Sequence, residues 1–166
     1  MNTTANQIIP ARIVPGHRVA SGLNGNPRFP GGTLRMQTPH FMTRGFDIGN
    51  LYPGTVNVSI APLGYRVVQA RHTFTKVKWH PTEPAEDFSF FDVRVLRPNQ
   101  MPVAGFIYFP HPDTKPAHFQ KPEVLELLLP FMEDLYYGME MNLEIPSAQM
   151  IIELPEGRSE TVAPCH

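Results

Sequence analysis

Tyr52-Pro53-Gly54-Thr55-Val56-Asn57-Val58-Ser59-Ile60 is the stretch on which the reading of this chain turns. Pro53-Gly54 is a turn pair, because proline fixes φ and glycine is free to take φ > 0. From Thr55 to Ile60 polar and apolar residues alternate strictly, the period of a half-buried strand. Residues two apart on a strand share a face. Thr55 and Asn57 therefore present a hydroxyl and a carboxamide side by side. Two neutral oxygens so placed suit a hard cation that keeps its waters and takes further ligands from substrate phosphates. The plainer reading of the same pair is two strand residues beside a turn. Upstream, Ser21-Gly22-Leu23-Asn24-Gly25-Asn26 is a glycine-bearing segment whose backbone N–H groups can cradle phosphates.

The alternation recurs outward from this stretch. Residues 72–79 repeat it, and 88–96, 103–109 and 150–154 read as further strands. Met141, Leu143 and Ile145 alternate in the same way. Residues 13–21 and 33–38 are shorter strand candidates, and 41–50 read as irregular or a single turn. The chain carries 19 prolines, against a usual share of about 5%. They are scattered between apolar runs, which suits short strands joined by stiff turns and speaks against long helices.

One segment carries a helical signal. Val124, Leu125, Leu128 and Leu129 recur at helical spacing. Pro122 suits a first helical position, and Glu123 and Glu126 suit the positive end of a helix. The spacing predicts a helix over 122–129, ended by Pro130. Residues 131–137 add a turn or two, with Gly138 as the cap. Many short strands and one helix late in the chain predict a mainly β fold, a small closed barrel with a packed helix. The barrel is expected over 12–154, with an N-terminal arm over 1–11 and a C-terminal tail over 155–166. There is no internal repeat and no sign of a second domain.

Composition narrows the function. The net charge is −1 and no basic stripe stands out, which argues against nucleic-acid binding. No apolar run approaches the ~20 residues of a spanning helix. Met1 to Ala5 lack the pattern of a signal peptide, and Cys165 has no internal partner. A cytoplasmic protein, monomeric or a small homo-oligomer, is the expectation. The 7 histidines fit no zinc spacing beside one terminal cysteine. Trp79, Phe90 and Phe91 read as barrel packing. Arg28 and Arg35 flank the glycine segment and read either as phosphate contacts or as ordinary surface arginines.

The order of these motifs resembles the archaeal-type CTP-dependent riboflavin kinases. The likeness runs through Gly16-His17-Arg18-Val19-Ala20-Ser21-Gly22-Leu23, Gly45-Phe46-Asp47 and Tyr52-Pro53-Gly54-Thr55-Val56-Asn57-Val58. It continues in Gly105-Phe106-Ile107-Tyr108-Phe109-Pro110, His118, and Glu123-Val124-Leu125-Glu126-Leu127-Leu128-Leu129-Pro130. The resemblance implies a six-stranded barrel with cradle-like loops. It further implies a Mg2+-dependent kinase making FMN from riboflavin, with CTP preferred to ATP as donor. On that likeness Thr55 and Asn57 hold the metal, and Ser21, Gly22 and Gly25 embrace the nucleotide phosphates. His118 and Glu126 meet the flavin substrate, with Glu126 as the catalytic candidate. The phosphate loop departs from the family's Gly-Leu-Gly-Glu-Gly, reading Gly22-Leu23-Asn24-Gly25-Asn26 before a Pro- and Gly-rich extension. That departure keeps a second reading open, a small-ligand or nucleotide-binding barrel that has lost phosphoryl transfer.

Overall fold

Strands dominate because most apolar residues lie at every second position, so each strand needs a dry side and a wall of neighbours. The computed structural model describes residues 5–16, 32–115 and 121–155. In chain order these form β1 (Asn6–Ile13), α1 (Thr33–Thr43), β2 (Val56–Ser59), β3 (Gly64–Val67) and β4 (His72–Val77). There follow β5 (Glu86–Leu96), β6 (Val103–Pro110), β7 (Val124–Leu128), β8 (Glu140–Pro146) and β9 (Met150–Glu153). Six of the strands close on themselves in the order β5-β6-β7-β2-β1-β8, with β8 returning to β5. Every pairing in the ring is antiparallel. Closure pairs Arg94 with Glu144, Val95 with Leu143 and Leu96 with Asn142. β4 extends the wall beyond β5, and β3 and β9 form a separate pair. The expected closed barrel is the observed one.

Two apolar clusters sit on the two sides of this wall. The lumen holds Ile9, Val58, Phe91, Val93, Leu127, Leu143 and Ile145 among others. The outer face of β4 to β7 carries Phe74, Phe88, Phe90, Tyr108 and Leu128, covered by Leu34 and Phe41 of α1. Phe41 is fully buried. Its ring stands edge-on to Phe88 at 5.2 Å and to Phe90 at 5.1 Å. Phe90, Phe91 and Trp79 are all packed within these clusters, as the sequence reading expected.

The helix lies elsewhere than expected. Residues 122–129 are not helical: they contain β7, flanked by β6 and β2. The reason is burial on both faces. Leu125 and Leu127 point to the lumen, Leu128 to the cluster under α1. A strand dry on both sides reads as a continuous apolar run, which spacing alone does not separate from a helix. The one helix among the described residues is α1, over residues read as a short strand and an irregular stretch. It contains Pro39, and Gly32 at its N-cap supplies no side-chain bond, so its local propensity is poor. Leu34, Gln37 and Phe41 recur on one buried face, and tertiary packing of that face holds the helix. Gly138, expected as a helix cap, does take φ +91°. It leads instead into β8, donating its N–H to the Ile13 carbonyl at 2.8 Å. The N-terminal arm over 1–11 is also revised: from Asn6 it is β1, paired with β8. Residues 156–166 of the expected tail lie outside the described residues.

The strand edge that the ring leaves over is guarded. Arg44 donates from Nη1 to the Thr75 carbonyl at 2.7 Å and from Nη2 to that of Lys76 at 3.4 Å. Lys76 itself takes φ 53° where the β4–β5 register shifts. A capped, bulged edge resists pairing with another chain.

Gly105 lets β6 and β7 approach. A Cβ there would fall on the Leu128 carbonyl and the Leu129 side chain. Gly105→Ala is expected to destabilise the protein by about 1–3 kcal/mol through overpacking. Phe41→Ala is expected to cost about 3–5 kcal/mol by opening a cavity under α1. Urea denaturation followed by far-UV circular dichroism reads both; a loss below half of either lower bound contradicts the packing described.

Candidate functional site

The site follows from strand register. Asn57 on β2 lies opposite Glu126 on β7, and Glu126 lies opposite Tyr108 on β6. Directly opposed residues in antiparallel strands share a face, so the three form one row across the outer wall. Thr55 stands two residues before Asn57 and joins the row. Its Oγ1 lies 3.2 Å from Asn57 Oδ1 and 3.3 Å from Glu126 Oε1. Both neighbours are acceptors, and the hydroxyl has one proton to give. The cluster thus holds more lone pairs than protons. Asn57 is buried, Thr55 and Glu126 half-buried. The chain leaving β1 presses on the carboxamide: a Cβ on Gly16 would overlap Asn57 Nδ2 and Cγ.

Two phenols face Glu126. Tyr108 is buried and donates its O–H to Gln37 Oε1 of α1 at 2.7 Å. Burial holds its proton well above the usual range, aided by the charges of Glu126 and Glu86 and opposed by the Gln37 bond. Tyr65 on β3 is raised in the same direction, by burial first and then by Glu126. Both are neutral hydrogen-bonding groups at neutral pH.

Two clefts border β7, one lined by Glu126 and the other by Leu128. The first is a slot of ≈ 240 Å³ between the end of β6 and the start of β7, lined by Tyr65, Tyr108, Phe109, Lys115 and Glu126 among others. It exists because Tyr108 and Glu126 are the last pair of that ladder while β6 runs on to Pro110. The second, of ≈ 230 Å³, lies between α1 and residues 48–53, lined by Arg35, Thr38, Pro39, Leu51, Tyr52 and Leu128 among others.

The predicted residues are thus placed as follows. Thr55, Asn57 and Glu126 come together, with Glu126 on a strand and not on the helix expected for it. Ser21, Gly22, Gly25 and His118 lie outside the described residues. Among the described residues no three His, Cys, Asp or Glu gather as a metal site. His72 lies against the Phe46 ring at 4.4 Å, and His111 Nε2 meets Ser89 Oγ at 2.7 Å. Tyr65, Tyr108 and Lys115 escaped the sequence reading. Tyr108 stands in an alternating run, but only the β6–β7 register puts it beside Glu126.

A second carboxyl, Glu86, is sealed into the outer wall at 4% exposure. Trp79 Nε1 donates to its Oε2 at 2.8 Å. Burial raises its proton affinity above the ordinary value of 4.5, more than the Trp79 bond and Lys115 lower it. With the folded value raised, its contribution is complete below pH 4.5 and is lost as pH climbs through the folded value. Glu86→Gln keeps an acceptor for Trp79 and abolishes the titration. Denaturant midpoints at acid and neutral pH are expected to show wild type losing stability relative to this variant as pH rises; a wild type that holds or gains stability relative to the variant contradicts the assignment.

Comparison with protein-family models, with curated proteins and with solved structures finds no match to this chain.

Proposed function

We propose that this chain is a magnesium-dependent phosphotransferase of the cytoplasm. It moves the terminal phosphoryl group of a nucleoside triphosphate, CTP before ATP, to a hydroxyl of a riboflavin-like acceptor. The observation that carries this reading is the convergence of Thr55 Oγ1, Asn57 Oδ1 and Glu126 Oε1 beside the cleft that Glu126 lines. The order of sequence motifs supports the same class. The two neutral oxygens of Thr55 and Asn57 are hard donors that magnesium accepts while keeping waters and substrate phosphates as its other ligands. An ion held by Thr55 and Asn57 would offset the charge that develops on the phosphates.

The residues of the chain do the rest by position. Asn57 offers a carbonyl oxygen from a paired strand, and Gly16, lacking a Cβ, leaves room for its carboxamide. Thr55 turns its single proton toward Asn57 or Glu126, which leaves a lone pair outward. Glu126 takes the proton of the acceptor hydroxyl. As that oxygen bonds to the γ-phosphorus, the bond from phosphorus to the bridging oxygen breaks and the nucleoside diphosphate leaves. Tyr65 and Tyr108 stay protonated beside Glu126 and add no competing negative charge. A binding barrel without transfer is the second reading. The observation in its favour is that Gly22-Leu23-Asn24-Gly25-Asn26 departs from the family's phosphate loop.

Thr55→Ala and Asn57→Ala are each expected to lower magnesium-dependent turnover of CTP and riboflavin by at least about 100-fold. The fold, by circular dichroism, is expected to be unchanged. Glu126→Gln is expected to abolish turnover and keep nucleotide binding. FMN formation followed by chromatography reads all three. Turnover within threefold of wild type in the Thr55 and Asn57 variants removes the cluster from the chemistry. Calorimetric binding of CTP and magnesium with no FMN formed selects the second reading.

A further inference from the structure

The slot between β6 and β7 carries a cation that the barrel itself leaves unmatched. Among the described residues that line it, only Lys115 and Glu126 are ionic. The phenols of Tyr65 and Tyr108 stay neutral, and the rest of the lining is apolar. Lys115 is half-buried. Its ammonium makes no hydrogen bond and no ion pair among the described residues. Its charge does reach Glu86, whose proton affinity it lowers against the larger effect of burial. A half-buried cation in an apolar slot is costly unless an anionic group meets it.

The turn that bears Lys115 is fastened to β5. The His111 N–H donates to the Asp87 carbonyl at 2.9 Å, and the Asp87 N–H donates to Thr114 Oγ1 at 2.9 Å. His111 Nε2 meets the hydroxyl of buried Ser89 at 2.7 Å. The Lys115 N–H closes the turn on the His111 carbonyl at 3.0 Å. The backbone under the ammonium is thus tied to the barrel wall, while the four-carbon stem is free to swing within the slot.

Resting on the phosphotransferase reading above, we propose that Lys115 is a further catalytic residue. Its ammonium contacts the phosphoryl oxygens as they arrive on the acceptor and holds the phosphate monoester that forms. Before transfer the slot has one ammonium and one carboxylate, which suits a neutral hydroxylic acceptor. As the acceptor oxygen bonds to phosphorus, its proton passes to Glu126. The electron pair of the broken P–O bond leaves with the nucleoside diphosphate. Glu126 is then neutral, and Lys115 keeps its proton throughout. The lining becomes cationic at the moment an anionic group enters it, so the interaction is stronger with the transferring phosphoryl group than with the acceptor alone.

The test compares wild type, Lys115→Met and Lys115→Arg. Methionine keeps most of the apolar stem without the charge, and circular dichroism checks the fold. Lys115→Met is expected to lower kcat by about 100-fold, with KM for riboflavin within about twofold of wild type. Lys115→Arg is expected to keep at least about a tenth of the wild-type kcat. By calorimetry, wild type is expected to bind FMN at least about 10-fold more tightly than riboflavin. That preference is expected to vanish in Lys115→Met and to shrink in wild type as salt is raised. A role for Lys115 in packing alone moves stability and leaves this split unchanged. A kcat for Lys115→Met within about threefold of wild type overturns the proposal. An FMN preference that survives the substitution, or that salt does not touch, overturns it as well. The salt series uses wild type alone and decides the matter if the methionine variant does not fold. If wild type forms no FMN from CTP and riboflavin, the phosphotransferase reading falls, and the binding series then decides this inference. An FMN preference that Lys115→Met removes sustains a phosphate contact at Lys115, whereas equal affinity for FMN and riboflavin, or binding of neither, ends it.

Discussion

Everything at the candidate site depends on β7 being dry on both sides. Its lumen face is given to Leu125 and Leu127, its outer face to Glu126 and Leu128. A carboxylate on a wall of this kind is costly to bury unless neighbours supply compensation. The register supplies neighbours: Asn57 on one side, Tyr108 on the other, with the Thr55 hydroxyl within 3.3 Å. A slip of one residue between β7 and its partners would send Glu126 into the lumen and a leucine to the row. The close approach at Gly105 and the closure of the ring by β8 and β5 hold that register in place.

Glu86 and Glu126 both lie on the outer wall, and burial separates their roles. Glu86 is sealed beneath Trp79 and its proton affinity is raised by burial. It acts within the packing of the wall. Glu126 is half-buried and lines a cleft. Tyr108 feels both charges and is protonated for that reason as well as for its burial. The phenol donates to Gln37 of α1 and so ties the helix to the row that carries Glu126. The helix thus has a polar anchor beside its apolar one at Phe41. Its position over the barrel wall, and with it the shape of the second cleft, follows from both.

The sequence carried the barrel more clearly than the helix, and the physical reason is local. Where a strand has one wet side, as at Thr55 to Ile60, polar and apolar residues alternate and the strand is legible. Where both sides are dry, as in β7, alternation vanishes and the apolar run matches a helix as well. α1 fails as a sequence signal for the opposite reason: it holds Pro39 and no capping side chain, and it exists because Phe41 and Leu34 have an aromatic floor to sit on. The pairing of Thr55 with Asn57 was legible because it lies within one strand. The joining of Glu126 to that pair was legible only through family likeness, and with the wrong element. Tyr65 and Tyr108 were hidden altogether, since their relation to Glu126 depends on which strands become neighbours. Arg35 was noted beside the glycine segment, but the cleft it lines is made by α1 and residues 48–53 together.

A phosphoryl group passes between two oxygens that lie roughly in line with it, on opposite sides of the phosphorus. A site that performs this must hold donor and acceptor in line and offset the charge on the phosphoryl oxygens. On the outer wall Glu126 of the oxygen cluster lines one cleft together with Lys115, and Leu128, two positions further along β7, lines a second. Both border β7, whose backbone is paired on both sides. The separation of the clefts is therefore set by the rise of a strand, not by the setting of a loop. Rigid placement of this kind is what in-line transfer requires, because the chemistry asks for position and compensating charge more than for a reactive side chain. The same reasoning explains how so small an inventory, one carboxylate, one ammonium and two neutral oxygens, suffices for the proposed reaction.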